Sequence, residues 1–108
     1  MKTFVIHTPK PTDRSGNRSF EDTIATCVGE EFAIFRSLYS ELEIGMPLII
    51  VDKRQRKQAE ATISAVEFKI LASNGIRRYN IHFQHPRPVP YNGDEIHLNR
   101  CGVALIDR

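Results

Sequence analysis

The residues best suited to binding chemistry are Lys53-Arg54-Gln55-Arg56-Lys57, four cations in five positions. At the tip of a hairpin between two apolar strands, cations at that density can reach phosphates across a groove. Arg77 and Arg78 follow a second expected turn and can extend the same surface, and Tyr79 beside them offers a ring on which a base can stack. The competing reading of the cations is a solubilising loop tip that keeps a hairpin from aggregating. The competing reading of Tyr79 is a core side chain, because it alternates with Ile81 and Phe83.

Catalytic and metal chemistry find less support. His82 and His85 stand three apart where a strand gives way to a turn, so the two do not share a face for a metal ion. His7 and His97 are isolated, and neither Cys-x-x-Cys nor His-Glu-x-x-His occurs. No metal and no cofactor are expected. Asp94-Glu95 with His97 can be drawn as an acid/base group, but nothing places a nucleophile beside it, and Cys27 lacks an evident activating partner. The residues therefore point to binding rather than catalysis. A small nuclease built on Arg, Lys and His is the remaining enzyme reading. His85-Pro86-Arg87-Pro88-Val89-Pro90-Tyr91 alternates prolines, which suits either a polyproline II segment for an aromatic groove or a stiff connection between strands.

Composition bounds these readings. The chain has 108 residues, 41% of them hydrophobic and 26% charged, which fits one domain over 1–108 with a modest core. Lys plus Arg number 15 and Asp plus Glu 13, so the net charge of +2 does not itself imply nucleic acid, and only the clustering of cations does. Cys27 and Cys101 make no disulfide framework. The apolar run after Met1-Lys2-Thr3 is too short for a signal peptide, and no stretch reaches membrane-spanning length. The expectation is a cytoplasmic protein with free thiols, off the membrane.

The elements that must position the cations follow from periodicity. Thr3 to Thr8 reads as a strand, and Pro9 to Arg18 as a loop. Ser19 caps a helix start, with Asp22 at its third position. Residues 23–28 are open between helix and strand. Phe32, Phe35, Leu38, Tyr39 and Leu42 fall at three- and four-residue spacings and predict a helix ended by Gly45. Leu48 to Val51 is a continuous apolar run, a strand covered on both faces. From Ala59 to Ile70 apolar residues alternate, with a one-residue slip that predicts a β-bulge near Ser64-Ala65. Asn74-Gly75 predicts a hairpin turn, and Tyr79 to Phe83 a strand stopped by Pro86, Pro88 and Pro90. Asn92-Gly93 predicts a turn, Ile96 and Leu98 a short strand, and Val103 to Ile106 a closing strand. The fold class is α+β, a curled and mostly antiparallel sheet or small β-barrel with one or two helices near the N-terminal half. Phe32, Phe35, Leu38 and Leu42 are expected to pack on it.

The layout resembles the PUA-like superfamily, in particular its EVE and ASCH branches. The residues that carry the resemblance are Phe32 to Leu42, then Gly45-Met46-Pro47-Leu48-Ile49-Ile50-Val51-Asp52, then Ala59 to Val66, with Phe4-Val5-Ile6-His7-Thr8-Pro9 similar to the first EVE strand. The family's Asp after the glycine is Met46 here, and Trp is absent. The resemblance implies a small barrel that binds RNA or modified DNA. A nucleic-acid-binding module, with phosphate contacts from Lys53, Arg54, Arg56 and Lys57 and support from Arg77 and Arg78, is thus the first expectation. A small protein-interaction or inhibitor module using a strand edge or the Pro-rich segment is the second.

Overall fold

A computed structural model describes residues 1–8, 19–71 and 75–108. The expected loop over residues 9–18 and the Ser73-Asn74 half of the second turn lie outside them. The elements are β1 (Lys2–His7), α1 (Phe20–Thr26), β2 (Val28–Ala33), α2 (Arg36–Tyr39), β3 (Pro47–Asp52), β4 (Lys57–Leu71), β5 (Arg77–Pro88), a 3₁₀ turn (Gly93–Glu95) and β6 (Val103–Asp107). The strands form one six-stranded sheet in the order β2-β5-β4-β3-β1-β6. Among the described residues only β1 and β3 pair in parallel, and the sheet curls into a half-barrel with β2 and β6 at its two edges.

The continuous apolar run at 48–51 finds the environment it predicts. Leu48 and Ile50 join Phe4, Ile6, Phe32, Ile63, Ile81 and Phe83 in the main core. Ile49 and Val51 face the other way, with Val5, Ala104 and Ile96, under a cover that includes Tyr91 and Leu98. Both faces of β3 and β1 are dry, so neither strand shows a polar alternation. This second layer corrects one expectation. Ile96 and Leu98 form no strand; they follow the 3₁₀ turn as irregular chain laid over the outer face of the sheet.

The bulge lies where the phase slip put it. Ile63 pairs with Phe83 and Ala65 with His82, which leaves Ser64 as the extra residue. A further shift separates Phe68 from Ile70. The helix start also holds: Ser19 Oγ accepts from the Asp22 backbone N–H at 3.0 Å, satisfying an otherwise orphaned donor.

The long helix over Phe32 to Leu42 does not form. Val28–Ala33 is strand, and only Arg36–Tyr39 is helical. Ile34 and Ala33, which lie off the expected helical face, are buried, whereas Phe35 on that face is exposed. Pairing with β5 outweighs the local spacing: Phe32 lies opposite Tyr79, and Asn80 Oδ1 accepts from the Glu31 N–H at 3.0 Å. Phe32, Leu38 and Leu42 still contribute to the main core, from a strand, a short helix and a loop.

The prolines do not stop β5 at Pro86. The strand runs on to Pro88, with Glu60 opposite Arg87 and Ala59 opposite Pro88. β2 covers β5 only as far as His82, so Pro86 and Pro88 lie where the strand has a partner on one side alone and a missing N–H is tolerated. Val89 N–H then donates to Gln58 O at 3.1 Å, so the Pro-rich stretch is built into the sheet for much of its length. Among the described residues no helix is long and apolar enough to cross a membrane.

Candidate nucleic-acid interface

The β3–β4 hairpin is a tight polar turn organised by Asp52. Its Oδ1 accepts from the N–H groups of Arg54 (2.9 Å) and Gln55 (3.0 Å), and Oδ2 from Gln55 Nε2 (2.9 Å). An Asx turn of this kind explains why an acid stands just before the basic run. Arg56 takes a left-handed φ of 55° to close the turn.

Most of the hairpin's cations are engaged by their own chain. Lys53 Nζ donates to the Ile96 carbonyl at 2.7 Å and ties the turn to the outer cover. Arg56 lies over the Tyr91 ring, 4.6 Å from its centroid, and donates to Asp94 Oδ2 at 2.9 Å, while Tyr91 OH donates to Asp94 Oδ1 at 2.9 Å. The Arg56 hydrogen bond, followed by that from Tyr91, holds the Asp94 carboxyl below its ordinary range, and Asp94 in turn raises Arg56. The Tyr91 phenol is raised first by desolvation and then by Asp94. Lys57 pairs with Glu21 on α1, whose carboxyl is lowered by that hydrogen bond. Arg54 projects as an exposed side chain. Three carboxylates, Asp52, Asp94 and Glu21, thus stand among four cations, and the local field is much weaker than the sequence suggests.

The structure does not bring the two basic clusters together. Lys57 opens β4, whereas Arg77 and Arg78 lie opposite Leu71 and Ile70 at its far end. Roughly 45 Å of strand contour separates them at about 3.3 Å per residue. Arg78 is tied down by donation to Glu31 O at 3.1 Å. Arg77 stands differently: its guanidinium lies 5.7 Å from the Phe68 ring centroid, and it lines a cavity of about 480 Å³.

That cavity lies between α2 and the adjoining ends of β2 and β5, lined among others by Ile34, Phe35, Arg36, Tyr39, Arg77 and Tyr79. Tyr39 and Tyr79 stack with centroids 4.6 Å apart and planes 17° from parallel. Phe68 meets Tyr79 edge-on at 5.9 Å and 73°. Tyr79 is only 5% exposed, so its core reading holds, yet it also backs Tyr39, which is 41% exposed. Arg36 and Tyr39 are one helical turn apart and therefore share a face of α2. The result is an apolar concavity with two guanidinium groups and an accessible stacked ring, within the size range of small-ligand sites.

Sequence reasoning missed Phe35, Arg36 and Tyr39 because the helical spacing assigned Phe35 and Tyr39 to a core face. The available signal was chemical: Tyr at position 39, where a buried face would take Leu, with Arg three residues before it. Among the described residues no group of His, Cys, Asp and Glu is arranged to hold a metal ion. His82 Nε2 instead lies 2.9 Å from Glu67 Oε1. In comparisons with known proteins the chain matches no family model, no curated protein and no solved structure.

Proposed function

We propose that this chain is a nucleic-acid-binding module that takes unpaired bases at the aromatic cavity between α2 and β5, and acts by binding rather than catalysis. The observation that carries the reading is Tyr39, stacked on Tyr79 and flanked by Arg36 and Arg77 at the cavity. An aromatic face accepts any base, and guanidinium groups beside it serve the adjoining phosphates or stack in turn. A duplex keeps its bases stacked inside, so the ligand is single-stranded RNA or DNA, or an unpaired base in either. The curled six-stranded sheet with two short helices supports the PUA-like reading of the fold. In this proposal Arg77 is a direct contact and Arg78 a support. Arg54 adds a long-range attraction, while Lys53, Arg56 and Lys57 chiefly hold the hairpin's own structure.

The chain has three tyrosines and no Trp, and two of the three line the cavity. Tyrosine fluorescence therefore reports on the site directly. Titration with short single-stranded oligonucleotides at low salt is expected to quench it. Tyr39→Ala is expected to weaken binding roughly 5- to 100-fold, the equivalent of about 1–3 kcal/mol per stacked base. Arg77→Gln should lower the dependence of log K on log salt by about one contact. Arg54→Gln should change affinity by less than about 3-fold, with a similar loss of salt slope only if Arg54 reaches a phosphate. A parent protein that binds neither RNA nor DNA at low salt overturns the proposal. A folded Tyr39→Ala variant with the parent's affinity removes the cavity from it.

A further inference from the structure

We propose that the site holds two adjacent unpaired bases, the first in the cavity on Tyr39 and the second stacked on Phe68 of β4, outside the cavity. This second position rests on the nucleic-acid reading above and extends it from one base to a two-base step. Phe68 lies directly opposite Tyr79 in the β4–β5 register and meets its ring edge-on, with centroids 5.9 Å apart. Tyr39 stacks on the same Tyr79 ring at 4.6 Å. Tyr79 is buried and therefore backs two rings that are not: Tyr39 is 41% exposed and Phe68 51%. Phe35, also accessible, belongs to the cavity wall itself.

Along the core-facing side of β4 the side chains pass from buried to open. Ile63 is buried, Val66 is partly buried against the main core, and Phe68 is half in solvent. A single exposed apolar side chain needs no explanation. This one carries a cation. Arg77 stands two positions before Tyr79 and so shares its face of β5, and its guanidinium lies 5.7 Å from the Phe68 ring centroid. The same Arg77 lines the cavity beside Tyr39. One guanidinium thus borders both accessible rings, where the phosphate joining two adjacent bases would lie. A guanidinium binds phosphate and lies against aromatic faces, so Arg77 can turn from the ring to the phosphate, and the cation–π contact it gives up is a weak one at an exposed ring. The two rings are steeply inclined to each other, since Tyr39 lies 17° from the Tyr79 plane and Phe68 73°. Two bases on them must be turned apart. The ligand is therefore an unstacked step of a single strand, and pyrimidine pairs, which give up the least stacking, suit it best.

The test uses single DNA strands of six units, abasic except for thymine at two adjacent central positions, at one, or at none, with binding measured by calorimetry at low salt. In the parent the two-base strand should bind roughly 5-fold or more tighter than the one-base strand, which in turn should exceed the strand with none. Phe68→Leu keeps apolar packing on Tyr79 but removes the flat face. It should bind the one-base strand as the parent does and gain less than about 2-fold from the second base. Phe68→Tyr returns a ring and should return the gain, which a merely structural role of Phe68 would not require. A parent that gains from the first base and nothing from the second overturns the two-base step and leaves the one-base reading standing. A folded Phe68→Leu variant with the parent's full gain overturns Phe68 as the second platform. A parent whose binding ignores bases altogether overturns both readings together.

Discussion

Glu60 shows what single ion pairs contribute here. Its side chain is 19% exposed and its carboxylate accepts from Arg108 at 2.8 Å and Arg87 at 3.1 Å. The Arg108 hydrogen bond lowers its pKa from the ordinary 4.5. A carboxylate depressed in the folded state contributes stability that is present above its unfolded value and is lost as pH falls through its folded value. Acid unfolding of the parent should therefore steepen below about pH 4.5, the range in which an unpaired Glu titrates. Glu60→Gln should flatten that limb and, at neutral pH, cost at most about 1 kcal/mol, or roughly 4–8 °C in Tm. Melting curves from neutral to acid pH check both, and a variant whose curve parallels the parent's throughout would remove Glu60 from the account. Such pairings lie beyond residue-level reading of the sequence. Glu21 and Lys57 are 36 positions apart and meet only because α1 is laid against the start of β4.

β2 is the element whose identity depends most on its neighbours. Gly29 stands where an added Cβ would come 2.7 Å from Ile6 Cδ1 and 3.0 Å from Phe32 Cε2, both core atoms. Close approach of β2 to the core therefore requires glycine at that position. Gly29→Ala is expected to destabilise the protein by about 1–3 kcal/mol, as overpacking does, with no charge or cap altered. Urea unfolding of parent and variant gives the number, and equal midpoints at equal slope would show that β2 can shift outward without penalty. In sequence, Gly29 reads only as an interruption, because the atoms that forbid a side chain there belong to β1 and to a ring three residues on. The same limit hid the short α2: helical spacing describes apolar positions, while the pairing of Phe32 with Tyr79 settles which of them lie in a strand. The bulge at Ser64, by contrast, was legible, because a period-two pattern cannot slip by one residue without an extra residue to absorb it.

At the scale of the whole molecule, Cys27 and Cys101 are separate free thiols, one closing α1 and one before β6. Thiol titration of the denatured, unreduced protein should count both, and Tm should be the same with and without reductant. A count of zero in protein kept from air would contradict this. The apolar run at 48–51, the alternation from Tyr79 to Phe83, the cap at Ser19 and the phase slip at Ser64 are local patterns, and by themselves they determined an α+β chain with a curled sheet. The basic run was equally plain. What it faces was not, since Asp94 and Glu21 come from distant segments, and the 15-residue length of β4 sets Arg77 and Arg78 at the opposite end from Lys53 to Lys57. Tertiary structure alone decided the parallel pairing of β1 with β3, the laying of Ile96 and Leu98 over the outer face, and the meeting of Tyr39 with Tyr79 across 40 residues. Periodicity reports which side of an element is dry. Which element lies against that side depends on chain-distant contacts, and a cavity is made by several such contacts at once.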